Sequence, residues 1–197
     1  MAKIPLTNKP TKFISVDAST NNLAFALFDS DKIVFTGKIV FLGDTIYEKC
    51  IDASKKISAF FRHPTFSDTH SLIIEHTVFM NSPKTAADLA LVQGAIIGAA
   101  GIAGIVEIGR VSPITWQNYL GNKKLSKDEQ LEIRKQHPGK SNSWYKTYER
   151  NVRKERTIKL VEVYYDKVVT DNDIADACGI GHWALNNWTK AVRFDKE

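Results

Sequence analysis

Hydrophobic residues in this chain fall into short continuous runs and longer stretches spaced at three to four. The short runs predict strands at Lys12–Asp17, Leu23–Phe28 and Lys32–Phe41. Ser19-Thr20-Asn21-Asn22 and Asp29-Ser30-Asp31 are turn-forming sequences between them. Three strands joined by short turns predict an antiparallel meander. Ser71–Glu75 predicts a fourth strand, and its unbroken apolar run suits burial on both faces. Between the third and fourth strands, Ile46, Cys50, Ala53, Ile57 and Phe60 or Phe61 recur at helical spacing. Thr45–Phe61 is therefore expected as a helix that ends at His63-Pro64.

Lys84 to about Gly101 predicts an Ala/Gly-rich helix, and Ile105–Val111 a fifth strand. Pro113–Leu120 predicts a short helix with proline in its first turn. From Gly121 to about Asn151 the periodicity fails, and His137-Pro138-Gly139 interrupts scattered basic residues. That stretch is expected to be an inserted loop or helical hairpin. Helical spacing returns over Val152–Val168, and Asn172–Trp188 is the last expected helix, with Asp171 or Asn172 as its N-cap. The order β-β-β-α-β-α-β-α-α is a mixed α/β layout with strand one central. A right-handed crossover sets strands one and four side by side. Asp17 and Glu75 then emerge at neighbouring carboxyl ends, where open α/β sheets bind ligands.

The 197 residues suffice for one domain, 1–197, with an insertion at about 121–151. Leu89–Val106 carries no charge over 18 residues, the lower edge of membrane-spanning length. Its four glycines and its fit to a helix followed by a strand favour a soluble fold, and no membrane association is expected. Cys50 and Cys178 are the only cysteines, so neither a disulfide framework nor a thiolate zinc site is expected. Met1–Thr11 has no apolar stretch of the signal-peptide kind, and a cytoplasmic setting fits. The net charge of +5 is unevenly spread. Residues 121–160 hold 12 Lys and Arg against 5 Asp and Glu, so the remainder is net negative. Trp144, Tyr145 and Tyr148 lie inside the basic stretch, and positive charge beside aromatics suits a phosphate backbone with exposed bases.

Four acids carry the candidate chemistry. Asp17 and Glu75 end apolar runs, and Asp173 and Asp176 stand three apart in Asp173-Ile174-Ala175-Asp176-Ala177-Cys178-Gly179-Ile180-Gly181. A carboxylate at the tip of a buried strand needs a partner or a cation. Side chains at i and i+3 share a helix face, so the last two can converge on the strand tips. Crowded carboxylates repel unless a cation lies between them, and all-oxygen sites suit Mg²⁺ or Mn²⁺. Each acid alone has an ordinary reading: a strand-end turn for Asp17, an ion pair for Glu75, a helix cap for Asp171 or Asp173. Trp116, Trp183 and Trp188 read as core or interface residues. His76 points to the opposite strand face from Glu75, and His182 lies off the Asp176 face of its helix.

With Asp17, the segment Ile73-Ile74-Glu75-His76-Thr77-Val78-Phe79-Met80, Gln93-Gly94 and the terminal Asp173-x-x-Asp176-Ala177, the chain resembles the RuvC-type Holliday junction resolvases. These belong to the RNase H-like (retroviral integrase) superfamily, and the resemblance is to a bacteriophage-like version covering about 150 residues. It implies an RNase H-like five-stranded mixed sheet flanked by helices, with the basic insertion before the C-terminal helices. It further implies a homodimeric, Mg²⁺-dependent endonuclease that cuts two opposed strands of a four-way DNA junction. Asp17, Glu75, Asp173 and Asp176 match the family's four catalytic, metal-holding carboxylates. Lys154 or Arg153 would be the basic helper, and Phe79 falls near the aromatic wedge that stacks at the crossover. Lys84, Lys123, Lys124, Arg150, Arg153 and Arg156 are the further DNA-contact candidates, and the Gly-rich helix matches the dimer-side helix. Three departures stand out: Asp17-Ala18-Ser19-Thr20 replaces the common Asp-Pro-Gly, one extra residue lies between Glu75 and Phe79, and the Gly121–Asn151 insertion has no bacterial counterpart.

Competing readings are a nuclease for flaps, forks or RNA–DNA hybrids and a non-catalytic branched-DNA-binding protein. A sugar-kinase-like phosphotransferase would need a second domain and a Gly-rich adenosine motif, which the sequence does not contain.

Overall fold

The computed structural model describes residues 9–66, 68–76 and 82–192. Five strands, β1 (Lys12–Ala18), β2 (Asn22–Asp29), β3 (Lys32–Val40), β4 (Ser71–Glu75) and β5 (Glu107–Val111), form one sheet in the order β3-β2-β1-β4-β5. β1, β2 and β3 pair antiparallel, as the short turns predict. β4 joins β1 in parallel through Val16↔Ile74, and β5 joins β4 in parallel. The expected mixed sheet with β1 at its centre is therefore present.

Among the described residues there are seven α-helices, α1 (Ile46–Phe61), α2 (Pro83–Ile102), α3 (Pro113–Tyr119), α4 (Lys127–Gln136), α5 (Asn142–Tyr165), α6 (Asn172–Asn186) and α7 (Trp188–Val192), which lie on both faces of the sheet except for α4, packed on α5. Alternation along each strand divides the core in two. Ile14, Val16, Phe25, Leu72 and Ile74 pack with Ala53, Ile57, Val92 and Ile96 under α1 and α2. Phe13, Phe28 and Ile73 pack with Trp116, Ala175, Cys178, Ile180 and Trp188 under α3, α6 and α7. Two residues along from Ser15 on the same face, Asp17 points toward α6.

Close approach of α6 to the sheet depends on small residues. Ser15 Oγ donates to the Ala177 carbonyl at 2.7 Å, tying the helix to β1. A Cβ at Gly181 would overlap the Phe28 ring and Ser15 Oγ, and one at Gly179 would press on Trp116. The glycines that follow the two aspartates thus let the acid-bearing helix lie directly on the central strands.

Three boundaries depart from the sequence expectation. α5 starts at Asn142, not Val152, because Ser141 caps it by accepting from the Trp144 N–H. With α4 it makes the predicted basic stretch a helical hairpin, packed through Tyr145, whose hydroxyl donates to the His137 carbonyl at 2.5 Å. α5 ends at Tyr165 where Asp166 turns left-handed (φ 48°), short of Val168. The last helix breaks at Asn187, which separates α6 from α7. α2 has a mean hydropathy of 1.5 and the length of a membrane span, yet Val92, Ile96, Ala99 and Ala100 face the core beside α1.

Candidate functional site

Asp17 lies one residue from the end of β1 and pairs with Ala24 of β2, while Glu75 is the last residue of β4 and pairs with Val111 of β5. Because Val16 pairs with Ile74, the two acids follow at adjacent strand tips. Asp171 caps α6 by accepting from the Asp173 and Ile174 N–H groups at 2.8 and 3.2 Å. The first turns of α6 then bring Asp173 and Asp176 over the strand tips. The four acids that sequence spacing singles out feel one another electrostatically.

Burial and mutual repulsion act on Asp17 and Asp176, and burial acts on Glu75. Burial, then repulsion from Glu75, Asp176 and Asp173, pushes the Asp17 carboxyl well above its usual range. Burial, then Glu75, raises Asp176 to about 7, against the opposing pull of Lys154 and Arg153. Burial raises Glu75 as well, offset by its bond from Trp116. Buried acids that also repel one another are short of positive charge.

Among the described residues, no three acid, histidine or cysteine side chains stand in a preformed metal-coordinating arrangement. Two of the carboxylates are engaged by other side chains. Trp116 Nε1 donates to Glu75 Oε2 at 2.6 Å. Lys38 Nζ pairs with Asp173 Oδ2 at 2.7 Å and with Asp171 Oδ2 at 2.8 Å. Gln93 of α2 fixes the strand tip itself, donating through Nε2 to the Glu75 carbonyl at 2.8 Å. An all-oxygen donor set with excess negative charge fits a hard divalent cation, provided Glu75 and Asp173 are freed to bind it.

A cleft of about 310 Å³ opens beside Asp176, lined by Gln117, Asn122, Arg150, Arg153, Lys154 and Thr157. Lys154 draws both Asp17 and Asp176 toward ionisation, so its ammonium lies within electrostatic reach of the acids. Arg153 is more constrained: its guanidinium donates to Gln117 Oε1, and its carbonyl accepts from Asn122 Nδ2 at 2.9 Å. Arg156 pairs with Glu129 at 2.6 Å and braces α4 against α5. Lys123 and Lys124 are exposed between α3 and α4. Lys84 lines a separate cleft with Thr20, Lys49 and Asp88. Phe79 lies outside the described residues. His182 pairs with the Tyr165 hydroxyl at 2.7 Å, away from the acids, as its helical angle predicts.

Lys38 and Trp116 contact the acids but were not distinguishable from sequence. Trp116 reads as a core aromatic and is one, at 1% exposure; only its indole N–H reaches the site. The meander register aligns Lys38 with Ala24 and Ala24 with Asp17, but an irregularity between Leu27 and Phe28 shifts the β2–β3 pairing by one residue, so counting out from the turn would set Gly37 in that row instead.

No protein-family model matches the chain, and no curated protein matches it. Solved structures do. The chain is similar to T. thermophilus RuvC in complex with Holliday junction substrate, at TM-score 0.63 and 12% identity, covering 92% of this chain and 98% of that one. It is also similar to the Thermus thermophilus RuvC structure at TM-score 0.60, 12% identity and the same coverage. The fold is therefore RuvC-like, with the mixed five-stranded sheet of the RNase H-like class.

Proposed function

We propose that this chain is a divalent-metal-dependent endonuclease that resolves four-way DNA junctions by paired symmetric nicks. The observation that carries the reading is the crowding of Asp17, Glu75, Asp173 and Asp176 at one sheet edge, with Asp176 raised to about 7 by burial and Glu75. The RuvC-like fold supports it, and one of the similar structures is RuvC bound to a Holliday junction.

Asp17, Glu75, Asp173 and Asp176 would hold Mg²⁺, or Mn²⁺ in its place. When bound, such ions supply hydroxide near neutral pH and stabilise the departing oxygen. Asp17 is the fixed point of the donor set, because β1 is hydrogen-bonded on both sides. Glu75 and the Asp173/Asp176 pair complete it from β4 and α6. Lys154 offsets charge on the phosphate under attack. Arg150 and Arg153 in the cleft, with exposed Lys123 and Lys124, hold neighbouring phosphates. Phe79, which follows β4 in sequence, is the candidate for stacking at the crossover, and Lys84 is a further candidate phosphate contact, whereas Arg156 is engaged by Glu129.

Paired nicks need two sites, and a homodimer supplies them. The exposed face of α2 suits that role: Leu91, Ile97 and Ile102 are exposed, and a Cβ at Gly94 or Gly98 would meet nothing. Replacing Gly98 with Arg should leave the fold intact and split the dimer in light scattering; a wild-type monomer at micromolar concentration would remove the dimer. A reducing cytoplasm with access to DNA is the setting we propose, and the free Cys50 and Cys178 are compatible with it.

The substrate is tested with an immobile four-way junction, linear duplex, flap, fork and RNA–DNA hybrid in parallel. Preferential nicking of the junction is expected. Cleavage of flaps or hybrids instead would keep the metal chemistry and replace the substrate. Tight junction binding without cleavage at any metal concentration would leave a non-catalytic branched-DNA-binding protein.

A further inference from the structure

We infer that Lys38 is a resident cation of the acidic site, holding on Asp173 the position a divalent ion would take and giving it up when the ion binds. This rests on the metal-nuclease reading above. It concerns how the site is kept charge-balanced and what a metal must displace.

Lys38 is on β3, two strands from Asp17, in the row Lys38–Ala24–Asp17. Laterally paired residues project from the same face of a sheet, so Lys38 projects toward α6, as Asp17 does. Its ammonium bridges two carboxylates of that helix, Asp171 Oδ2 at 2.8 Å and Asp173 Oδ2 at 2.7 Å. The two acids are not equivalent. Asp171 is fixed, because its other oxygen caps α6 through the Asp173 and Ile174 N–H groups. Asp173 makes no other side-chain bond among the described residues and is free to turn.

That asymmetry gives the ammonium two seats. If Asp173 rotates toward Asp17 and Asp176, Lys38 keeps Asp171 and is not stranded. Its side chain is 25% exposed, so water can take the vacated place. Exchange of Asp173 from Lys38 to a metal ion therefore leaves no buried charge unpaired. The Lys38–Asp173 pair also keeps one of the four acids engaged by an internal cation until a metal arrives. Lys38 repels an incoming divalent ion and competes for one of its ligands. Removing the ammonium should tighten ion binding, and a lysine serving only as a brace would not have that effect.

The test is Mn²⁺ binding to the full chain, read by loss of the free-ion electron paramagnetic resonance signal and requiring no cleavage. K38Q should bind Mn²⁺ about tenfold more tightly than wild type, and K38R should bind as wild type does. D171N is the second variant, since asparagine caps helices as well as aspartate. It removes one seat, leaves Lys38 with Asp173 alone, and should weaken Mn²⁺ binding several-fold. Equal or weaker binding by a folded K38Q, or unchanged binding by D171N, overturns the inference and leaves the metal site standing. Failure of wild type to bind Mn²⁺ at all would overturn the nuclease reading and this inference together.

Discussion

Trp116 donates its indole N–H to Glu75 Oε2 across 2.6 Å, so a buried aromatic of α3 sets the direction of an acid on β4. The bond opposes the upward push of burial on Glu75 and favours its ionised form. It also ties α3, and through it the Gln117–Arg153 contact, to the strand tip.

Trp116→Phe keeps most of the packing and deletes that bond. Cleavage is expected to fall about tenfold with DNA affinity unchanged, because Glu75 loses its orientation. Stability should fall by about 1–3 kcal/mol, the usual cost of a lost buried hydrogen bond and a small void. Single-turnover cleavage, junction binding and urea denaturation measure the three quantities. Wild-type cleavage would remove Trp116 from the site and leave it a core residue.

Gly181→Ala tests the seating of α6. The added methyl would overlap Phe28 and Ser15 Oγ, both under the helix that carries Asp173 and Asp176. Overpacking of this kind costs roughly 1–3 kcal/mol, and any outward shift of α6 moves two acids from two others. Lower thermal stability with loss of cleavage is expected. A variant as stable as wild type would mean that the helix does not depend on this close approach.

The raised acids give the metal-free protein an unusual pH dependence. Asp176 moves from the ordinary 3.8 to about 7, and Asp17 moves in the same direction. A raised folded pKa means that the folded state holds the proton more tightly than the unfolded chain. Its stabilising contribution is present below about pH 4 and is lost as pH rises through 7. Metal-free protein should therefore melt at a lower temperature at pH 8 than at pH 5.5. Mg²⁺ at pH 8, or Asp176→Asn, should recover much of the difference. A melting temperature that rises steadily from pH 5.5 to 8 without metal contradicts the crowded-acid description.

The basic residues are separable by salt dependence. Arg150 and Lys154 line the cleft beside Asp176, whereas Arg156 is paired with Glu129. Alanine at Arg150 or Lys154 should reduce the slope of log affinity against log salt by about 1, the signature of one lost phosphate contact. Alanine at Arg156 should leave the slope near wild type. Equal losses at all three would show that Arg156 leaves Glu129 for DNA.

Much of this arrangement was legible in the sequence, for physical reasons. Continuous apolar runs and turn residues locate β1 to β4, and the right-handed crossover is enough to put Asp17 beside Glu75. The i,i+3 spacing of Asp173 and Asp176 is a local property of α6. What stayed hidden depends on contacts distant in sequence. Lys38 and Asp173 are far apart along the chain, and their pairing needs both the β2–β3 register and the seat of α6. Trp116 looks like any buried tryptophan until its nitrogen is seen to point at Glu75. α5 starts ten residues earlier than its apolar spacing suggests, because Ser141 and Tyr145 act through a cap and one hydrogen bond rather than a hydrophobic stripe. The glycines after Asp176 are visible in the sequence, but their reason, the Phe28 ring and Ser15 beneath Gly181, is not.

The most direct measurement is cleavage of an end-labelled immobile four-way junction by wild type, Asp17→Asn and Asp176→Asn, each with Mg²⁺ and with chelator. Symmetric paired nicks are expected from wild type with Mg²⁺ alone, at least a hundredfold slower or absent in both variants, which should still bind the junction. Nicking that survives chelation, or that either variant performs at the wild-type rate, would contradict a metal nuclease built on these carboxylates.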